Sequence, residues 1–146
     1  MLRYKVGNIV DAPEEVLVNA VNCVGVMGAG VALAFKRRWP EMFAEYRGVC
    51  LSGGMFPGDV DVYRVEGGPV IFNAATKGHW RESSRVEIVE TCARHVRLLA
   101  EVCYFSSVAL PKLGCGLGGL SWDEVRPLYE EVFAGSVVDF VVYDLD

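Results

Sequence analysis

Long apolar runs and closely spaced cysteines are both missing from this sequence of 146 residues. A membrane-spanning helix needs about 20 consecutive apolar residues, so the missing runs predict that no segment crosses a membrane. The N-terminal segment also has no apolar core of the kind that a secretory signal carries. We therefore expect a cytoplasmic protein that does not associate with membranes.

The cysteines are few and far apart. There are five of them, an odd number, and no two form a Cys-x-x-Cys pair. A disulfide framework has an even count of cysteines, and a zinc site usually has short spacings between its ligands. The sequence therefore predicts no bound metal and reduced thiols, as in a reducing compartment. The thiols belong to Cys23, Cys50, Cys92, Cys103 and Cys115.

Positive charge is also in short supply, because 14 lysines and arginines stand against 19 acidic residues and leave a net charge of −5. Proteins that hold nucleic acid mainly through its phosphates are usually basic. The overall charge thus argues against tight non-specific DNA binding but leaves room for a local basic site. Hydrophobic residues make up 52% of the chain, which is enough for one core and one domain, residues 1–146.

Short apolar segments alternate with helical patterns along the chain. This order predicts a three-layer α/β/α sandwich with a mixed central sheet. Ser84 with Glu87, and Ser121 with Glu124, have the spacing of capping boxes at helix starts. Strands are predicted at 2–6, 16–19, 59–65, 70–75, 107–110 and 137–143, and helices at 31–39, 41–51, 85–100 and 122–133.

Two glycine-rich segments, 22–30 and 111–120, each follow a strand and precede a helix. Glycine lets the backbone approach a ligand closely, and a helix N-terminus favours a phosphate. Together the two segments could hold a diphosphate, although each alone could be a tight turn without a ligand. Neither matches the phosphate loop of nucleotide hydrolases or the dinucleotide fingerprint, so ATP hydrolysis and hydride transfer are not expected.

A third segment, 76–81, gathers cationic and aromatic side chains after a strand. Lys77 could act as a cation or a general base, Trp80 could stack on a base, and Arg81 could bind phosphate. The alternative interpretation is an ordinary solvated loop. A second basic stretch, 36–38, could steer DNA if it faced the same cleft. His95, inside a predicted helix, is interpreted as structural.

The three segments together resemble those of the macrodomain family. Its Val-Asn-Ala-x-Asn hallmark is matched by residues 18–22, and its late glycine loop by residues 114–119. Within the family, Thr76-Lys77-Gly78-His79-Trp80-Arg81 is most similar to the DarG-type branch, which removes ADP-ribose from thymine bases of single-stranded DNA. The resemblance covers nearly the whole chain and implies the macrodomain sandwich fold.

The resemblance also implies an activity and partners. The chain would be an ADP-ribosyl glycohydrolase that needs no cofactor, with ADP-ribose as its ligand and product. Its substrate would be ADP-ribosylated single-stranded DNA. A further partner would be a cognate toxin, an ADP-ribosyltransferase, and this protein would be its antitoxin.

Roles for individual residues follow from the same resemblance. Lys77 would be the principal catalytic residue, near the anomeric carbon of the distal ribose, and Asn22 would orient that ribose. Asn8 and Ile9 would lie at the adenosine end, with Tyr143 stacked on adenine. Contacts to DNA would come from His79, Trp80 and Arg81. The remaining contacts to ADP-ribose would come from Asn19, Val26, Met27, Gly28, Gly30, Thr76, Leu113, Gly114, Cys115, Gly116, Leu117, Gly118 and Gly119.

One departure from a related branch bears on the substrate. The branch that removes ADP-ribose from protein glutamate pairs its lysine with an aspartate, which would fall at Gly118 here. Its absence favours DNA as the substrate. Asp123 is another candidate acid, but its place at a helix start suits capping better. A protein glutamate or aspartate ADP-ribosyl hydrolase and a non-catalytic ADP-ribose reader stay open as alternatives.

Overall fold

A six-stranded mixed sheet forms the middle layer of the computed structural model, which describes residues 1–145. Its strands are β1 (Leu2–Val6), β2 (Val16–Val21), β3 (Val60–Arg64), β4 (Val70–Ala75), β5 (Ser107–Leu110) and β6 (Asp139–Asp144). They lie in the order β1-β6-β5-β2-β4-β3, and only the β3–β4 pair is antiparallel. The carboxyl ends of five strands therefore open on one edge of the sheet. Asp146, the last residue of the predicted domain, lies outside the described residues.

Helices cover both faces of this sheet. They are α1 (Gly30–Arg38), α2 (Pro40–Leu51), α3 (Val86–Val102) and α4 (Trp122–Phe133). Helices α1 and α2 pack on the face that carries Leu17 and Ile71, whereas α3 and α4 pack on the face that carries Val18 and Phe72. Successive strand residues point to opposite faces, so β2 supplies both cores. The predicted three-layer α/β/α arrangement is confirmed. None of the helices in residues 1–145 is long and apolar enough to cross a membrane.

The predicted capping box at Ser84 is wrong. Helix α3 begins at Val86, and its N-cap residue Arg85 makes no side-chain cap bond. The Ser84 backbone N–H instead donates to the Gly118 carbonyl at 2.8 Å, which draws Ser84 into the interior. Ser121 does cap α4, with its hydroxyl accepting from the N–H of Asp123. At Ser84 a tertiary hydrogen bond therefore replaces the helix cap that the local sequence predicts. At Ser121 no such bond competes, and the predicted cap forms.

Tyr129 fixes the loop that follows β5. Its ring is fully buried in α4, and its hydroxyl donates to the Pro111 carbonyl at 2.5 Å. The same hydroxyl accepts from the Leu113 N–H at 2.9 Å. Both backbone groups lie at the start of the second glycine-rich segment. One side chain therefore bonds to two buried backbone groups beyond the end of β5, which are also bonded to each other at 3.0 Å.

We expect Tyr129→Phe to lower the free energy of unfolding by about 1–3 kcal/mol, because the buried Pro111 carbonyl and Leu113 N–H lose the hydroxyl and keep only their 3.0 Å bond to each other. Denaturant unfolding measures the change. Tyr104→Phe is the matched control, since the Tyr104 side chain is 92% exposed. Equal stability of the Tyr129 variant and the wild type would contradict this assignment.

Candidate functional site

Three loops leave the carboxyl ends of β2, β4 and β5 and lie side by side. We call them the first glycine loop (residues 22–29), the lysine loop (76–85) and the second glycine loop (111–121). The Cys23 N–H donates to the Gly78 carbonyl at 2.8 Å, which joins the first glycine loop to the lysine loop. The Ser84 N–H donates to the Gly118 carbonyl, which joins the lysine loop to the second glycine loop. The structure thus brings together the three segments that the sequence singled out.

The first glycine loop folds around the side chain of Asn22. The Asn22 Nδ2 donates to the Val26 carbonyl at 2.8 Å, and Oδ1 accepts from the N–H groups of Val24 and Val26. Tyr46 on α2 donates its hydroxyl hydrogen toward the same Oδ1, at 2.9 Å, and also lies 2.8 Å from the Asn22 carbonyl. The carboxamide oxygen is therefore fully used within the protein. Any bond from Asn22 to a ligand has to come from the second hydrogen on Nδ2.

The two glycine loops meet above the start of α1. Gly30 begins this helix with φ 60°, and a Cβ there would stand 3.1 Å from the Leu117 side chain. Leu117 is 71% exposed, so it reaches across from one loop to the other at the surface. Beneath Leu117, position 114 must be glycine. Gly114 has φ 79°, and a Cβ there would stand 2.7 Å from the Val89 side chain. The N-terminus of α1 and two glycine-rich backbones therefore converge, as an anion site requires.

The lysine loop exposes the side chains of Trp80 and Arg81 and leaves Lys77 half-buried. The Lys77 Nζ donates to the Trp80 carbonyl at 3.2 Å and, within residues 1–145, forms no ion pair with a carboxylate. The Trp80 ring, on a residue that is 48% exposed, lies between the His79 ring, 5.1 Å away between centroids, and the Arg81 guanidinium at 4.7 Å. His79 Nδ1 accepts from the Arg81 N–H, and the His79 N–H donates to Glu82. The loop is thus internally bonded and presents one amine beside an aromatic platform.

Several predicted contact residues lie beneath the loops. Asn19, Met27, Thr76 and Leu113 are buried, with Asn19 and Leu113 fully so. The Asn19 Nδ2 donates to Asn73 at 3.1 Å and contacts the Met27 sulfur at 3.7 Å, which supports the first glycine loop from below. Their side chains therefore support the loops, and their contact with a ligand through the backbone stays a prediction.

The predicted adenosine end lies beyond β1 and β6. The Asn8 Oδ1 accepts from the Val10 N–H, which caps a short turn that contains the buried Ile9. The Tyr143 ring packs against Gly7, and its hydroxyl donates to Glu14 at 2.6 Å. Only 7% of Tyr143 is exposed, so little of its ring is open to an adenine. Its stacking role and the adenine contact of Asn8 stay predictions.

Ser84 is a residue whose place the sequence did not reveal. Its hydroxyl is buried and has no hydrogen-bond partner in the part of the chain that the structure describes. A Cβ on Gly118 would stand 2.6 Å from this Ser84 oxygen. A side chain at position 118 therefore requires the Ser84 hydroxyl to move. The aspartate of the glutamate-directed branch would meet this hydroxyl.

Basic residues 36–38 do not join the site. They occupy the last turn of α1, at the opposite end of that helix from the first glycine loop. The Lys36 Nζ lies over Phe43, and Arg38 pairs with Asp11. His95 bonds to the Gly58 carbonyl at 2.8 Å, consistent with the structural role predicted for it. Among residues 1–145, no three histidine, cysteine or acidic side chains come together as metal ligands do.

Burial keeps the thiols near the site protonated. It raises the pKa of Cys23 to about 11 and that of the fully buried Cys92 to about 12, from an ordinary value of 9.0. The Cys23 sulfur contacts the Lys77 carbonyl at 3.6 Å, and the Cys92 sulfur contacts the Ala75 carbonyl at 3.3 Å. Both thiols support the backbone on either side of the start of the lysine loop and carry no charge at neutral pH.

A family model described as Macro domain matches residues 18–129. This chain is a macrodomain. It is 45% identical over 136 residues to the DNA ADP-ribosyl glycohydrolase of Thermus aquaticus, covering 90% of this chain. That alignment spans only 37% of the longer relative.

Solved structures agree with this assignment. The macrodomain of Mycobacterium tuberculosis DarG superposes with a TM-score of 0.94 at 40% identity, covering 98% of this chain and 97% of that one. Thermosipho africanus DarTG in complex with ADP-ribose gives a TM-score of 0.89 at 26% identity, covering 97% of this macrodomain and 41% of that chain. The family and fold implied by the three loops are confirmed, as is the likeness to the DarG branch.

Stability is expected to fall as pH rises above about 9. Cysteines of the unfolded chain lose their protons near pH 9. In the folded chain the pKa of Cys23 is about 11 and that of Cys92 is about 12, so both stay protonated to higher pH. The unfolded state then binds fewer protons than the folded state, so the free energy of unfolding decreases between these limits and is unaffected by these thiols below pH 9. Urea unfolding from pH 8 to 11 measures the slope.

Two variants make this test specific. Cys92→Ala should flatten the alkaline slope, and the exposed Cys103→Ala should leave it unchanged. An alkaline slope that is the same in both variants would show that the buried thiol is not its source.

Gly118→Ala should lower the free energy of unfolding by about 1–3 kcal/mol, because its methyl group overlaps the Ser84 hydroxyl. In the Ser84→Gly background the same change should cost less, since the obstructing atoms are gone. Gly48→Ala is the control, because a Cβ there meets nothing within 4 Å. Strict additivity of the two changes would rule out this contact.

Proposed function

We propose that this macrodomain hydrolyses the N-glycosidic bond between ADP-ribose and a thymine base of single-stranded DNA. The observation that carries the proposal is the position of Lys77. It stands on a loop hydrogen-bonded to both glycine loops, beside an exposed tryptophan flanked by a histidine and an arginine. The similarity to a protein named DNA ADP-ribosyl glycohydrolase supports the same substrate.

The glycine loops supply the ADP-ribose end of the site. The N-terminus of α1, beginning at Gly30, offers backbone N–H groups and the positive end of a helix dipole to a diphosphate. The short turn Gly116–Gly118 offers a second backbone from the facing loop. Asn22 then orients the distal ribose through its remaining amide hydrogen. These groups bind by shape and backbone and need no cofactor.

Bond cleavage leaves negative charge on the base and positive charge on the ribose. The bond between the anomeric carbon and the thymine ring nitrogen breaks, and its electron pair stays with the base. A water molecule bonds to the anomeric carbon, and the proton that it loses goes to the base. The products are thymine in DNA and free ADP-ribose. Lys77 stabilises the departing base with its ammonium group, after leaving the carbonyl of Trp80 to which it now donates.

The lysine acts without a carboxylate partner. No carboxylate in residues 1–145 lies within ion-pair distance of the Lys77 Nζ, and Ser84 occupies the space beside Gly118 where such a group would stand. This arrangement favours DNA over protein glutamate as the substrate. Because the substrate is a modified thymine, an enzyme that transfers ADP-ribose to thymine must supply it. We propose that transferase as the cognate toxin, with this macrodomain as its antitoxin in the cytoplasm.

The test is a release assay with two substrates, an oligonucleotide ADP-ribosylated on thymine and a protein ADP-ribosylated on glutamate. We expect release from DNA alone, and a loss of at least about 100-fold in Lys77→Ala. Lys36→Ala, on the distant end of α1, should match the wild type. Calorimetry with free ADP-ribose should show that the Lys77 variant still binds the ligand.

Each other outcome has a meaning. Release from the protein alone would make this a protein ADP-ribosyl hydrolase. Binding of ADP-ribose without release from either substrate would make it a reader. Full turnover by Lys77→Ala would remove the lysine from the mechanism.

A further inference from the structure

Arg47 differs from most arginines of this macrodomain because no carboxylate neutralises it. It is exposed on α2 and, within residues 1–145, forms no ion pair. Several arginines elsewhere in the chain do form such pairs, whereas Arg37 and Arg64 do not within the described residues. The pairs join Arg3 to Asp139, Arg94 to Glu90, Arg97 to Glu101 and Arg126 to Glu130.

The position of Arg47 is fixed by the first glycine loop. A Cβ on Gly25 would stand 3.1 Å from the Arg47 Cγ and 3.5 Å from its Cα, so the loop lies directly on this residue. Gly25 has φ 88°, a conformation that favours glycine, and its lack of a side chain allows the close contact with Arg47. The neighbouring Tyr46 holds Asn22 through its hydroxyl. Arg47 is therefore held beside the group that orients the ribose.

The lysine loop begins a short distance away. The Cys23 N–H donates to the Gly78 carbonyl at 2.8 Å, and one residue separates Cys23 from Gly25, a span of at most about 7 Å. Arg47 and the lysine loop, which carries the exposed pair Trp80 and Arg81, are thus both attached to the first glycine loop. One carboxylate in the lysine loop, Glu82, accepts a hydrogen bond from the backbone of that loop.

Unpaired cations beside an exposed aromatic ring are the arrangement that binds single-stranded nucleic acid, because phosphates meet the cations and bases stack on the ring. The chain as a whole carries a net charge of −5, so contact with DNA phosphates depends on local groups of unpaired cations. A guanidinium also suits a phosphate, to which it can donate two parallel hydrogen bonds.

We propose that Arg47 binds a backbone phosphate of the DNA that flanks the modified thymidine. The strand then crosses the edge of the sheet from α2 to the lysine loop, where Trp80 and Arg81 meet the neighbouring nucleotide. This inference rests on the proposed function, since it assigns the part of the substrate outside ADP-ribose and thymine. It makes Arg47 a residue that distinguishes modified DNA from the modified nucleoside alone.

The first experiment compares two substrates, ADP-ribosylated thymidine and a single-stranded oligonucleotide with the same modified base at its centre. In Arg47→Ala, the ratio of kcat/KM for the oligonucleotide to that for the nucleoside should fall about fivefold at low salt. The slope of log kcat/KM against log salt for the oligonucleotide should become shallower by about 0.7, the value for one phosphate of a single strand. Arg37→Ala is the matched control, because Arg37 is also exposed and unpaired among residues 1–145 but lies in the last turn of α1.

A second experiment locates the phosphate. One linkage at a time is replaced by a neutral methylphosphonate on either side of the modified thymidine. Replacement of the linkage that Arg47 contacts should lower kcat/KM of the wild type about fivefold. The same replacement should not affect Arg47→Ala, because the variant has already lost that contact.

The outcomes separate this inference from the proposed function. If the wild type releases ADP-ribose from neither substrate, the proposed function fails. If it releases from both while Arg47→Ala loses activity equally on both, Arg47 acts on the ADP-ribose end and the inference is overturned. An unchanged substrate ratio, an equal effect of Arg37→Ala, or equal sensitivity of Arg47→Ala and wild type to every methylphosphonate overturns it as well.

Discussion

The position of the lysine loop depends on two backbone hydrogen bonds, one near each end. Cys23 donates to Gly78 at one end, and Ser84 donates to Gly118 at the other. Neither bond uses a side chain, so the attachment of the loop to its two neighbours does not depend on the side chains of Lys77 and Trp80. Lys77 is therefore half-buried on a loop that is attached to both of its neighbours.

The sheet explains why three separate segments of the chain meet at this site. Strands β4, β2 and β5 are adjacent and parallel, so their carboxyl ends deliver the three loops to the same edge. The sheet is covered by helices on both faces, so its edge is where backbone groups become available to a ligand. Glycine at the crowded positions lets neighbouring loops approach until their backbones, and not their side chains, line the site.

Much of this arrangement follows from local sequence. Strand positions and the two glycine loops were predicted because alternation and glycine clusters are properties of neighbouring residues. Groups supplied from a distance were missed. Tyr46 reaches Asn22 across 24 positions, and Tyr129 reaches Pro111 across 18. At Ser84 the local sequence predicted a helix cap that does not form. Ser84 and Glu87 have the spacing of a capping box, but Ser84 is hydrogen-bonded to the second glycine loop.

The positions of unpaired charges were also not predictable from local sequence. The sequence displays residues 36–38 as the most obvious basic run, yet the fold places them at the far end of α1. Arg47 attracts no attention in the sequence, because its lack of a carboxylate partner is a property of the folded surface. Composition gives the net charge of the chain, whereas only the fold decides which cations stay unpaired and where they lie.

The closure of the first glycine loop on Asn22 has a thermodynamic consequence. Four hydrogen bonds to one carboxamide hold the loop in a single conformation before any ligand arrives. The conformational entropy lost in ordering this backbone is therefore lost once, when the chain folds, and not again each time a ligand binds. More of the interaction energy with any ligand of this loop then remains as affinity, and the cost appears instead in the stability of the macrodomain itself.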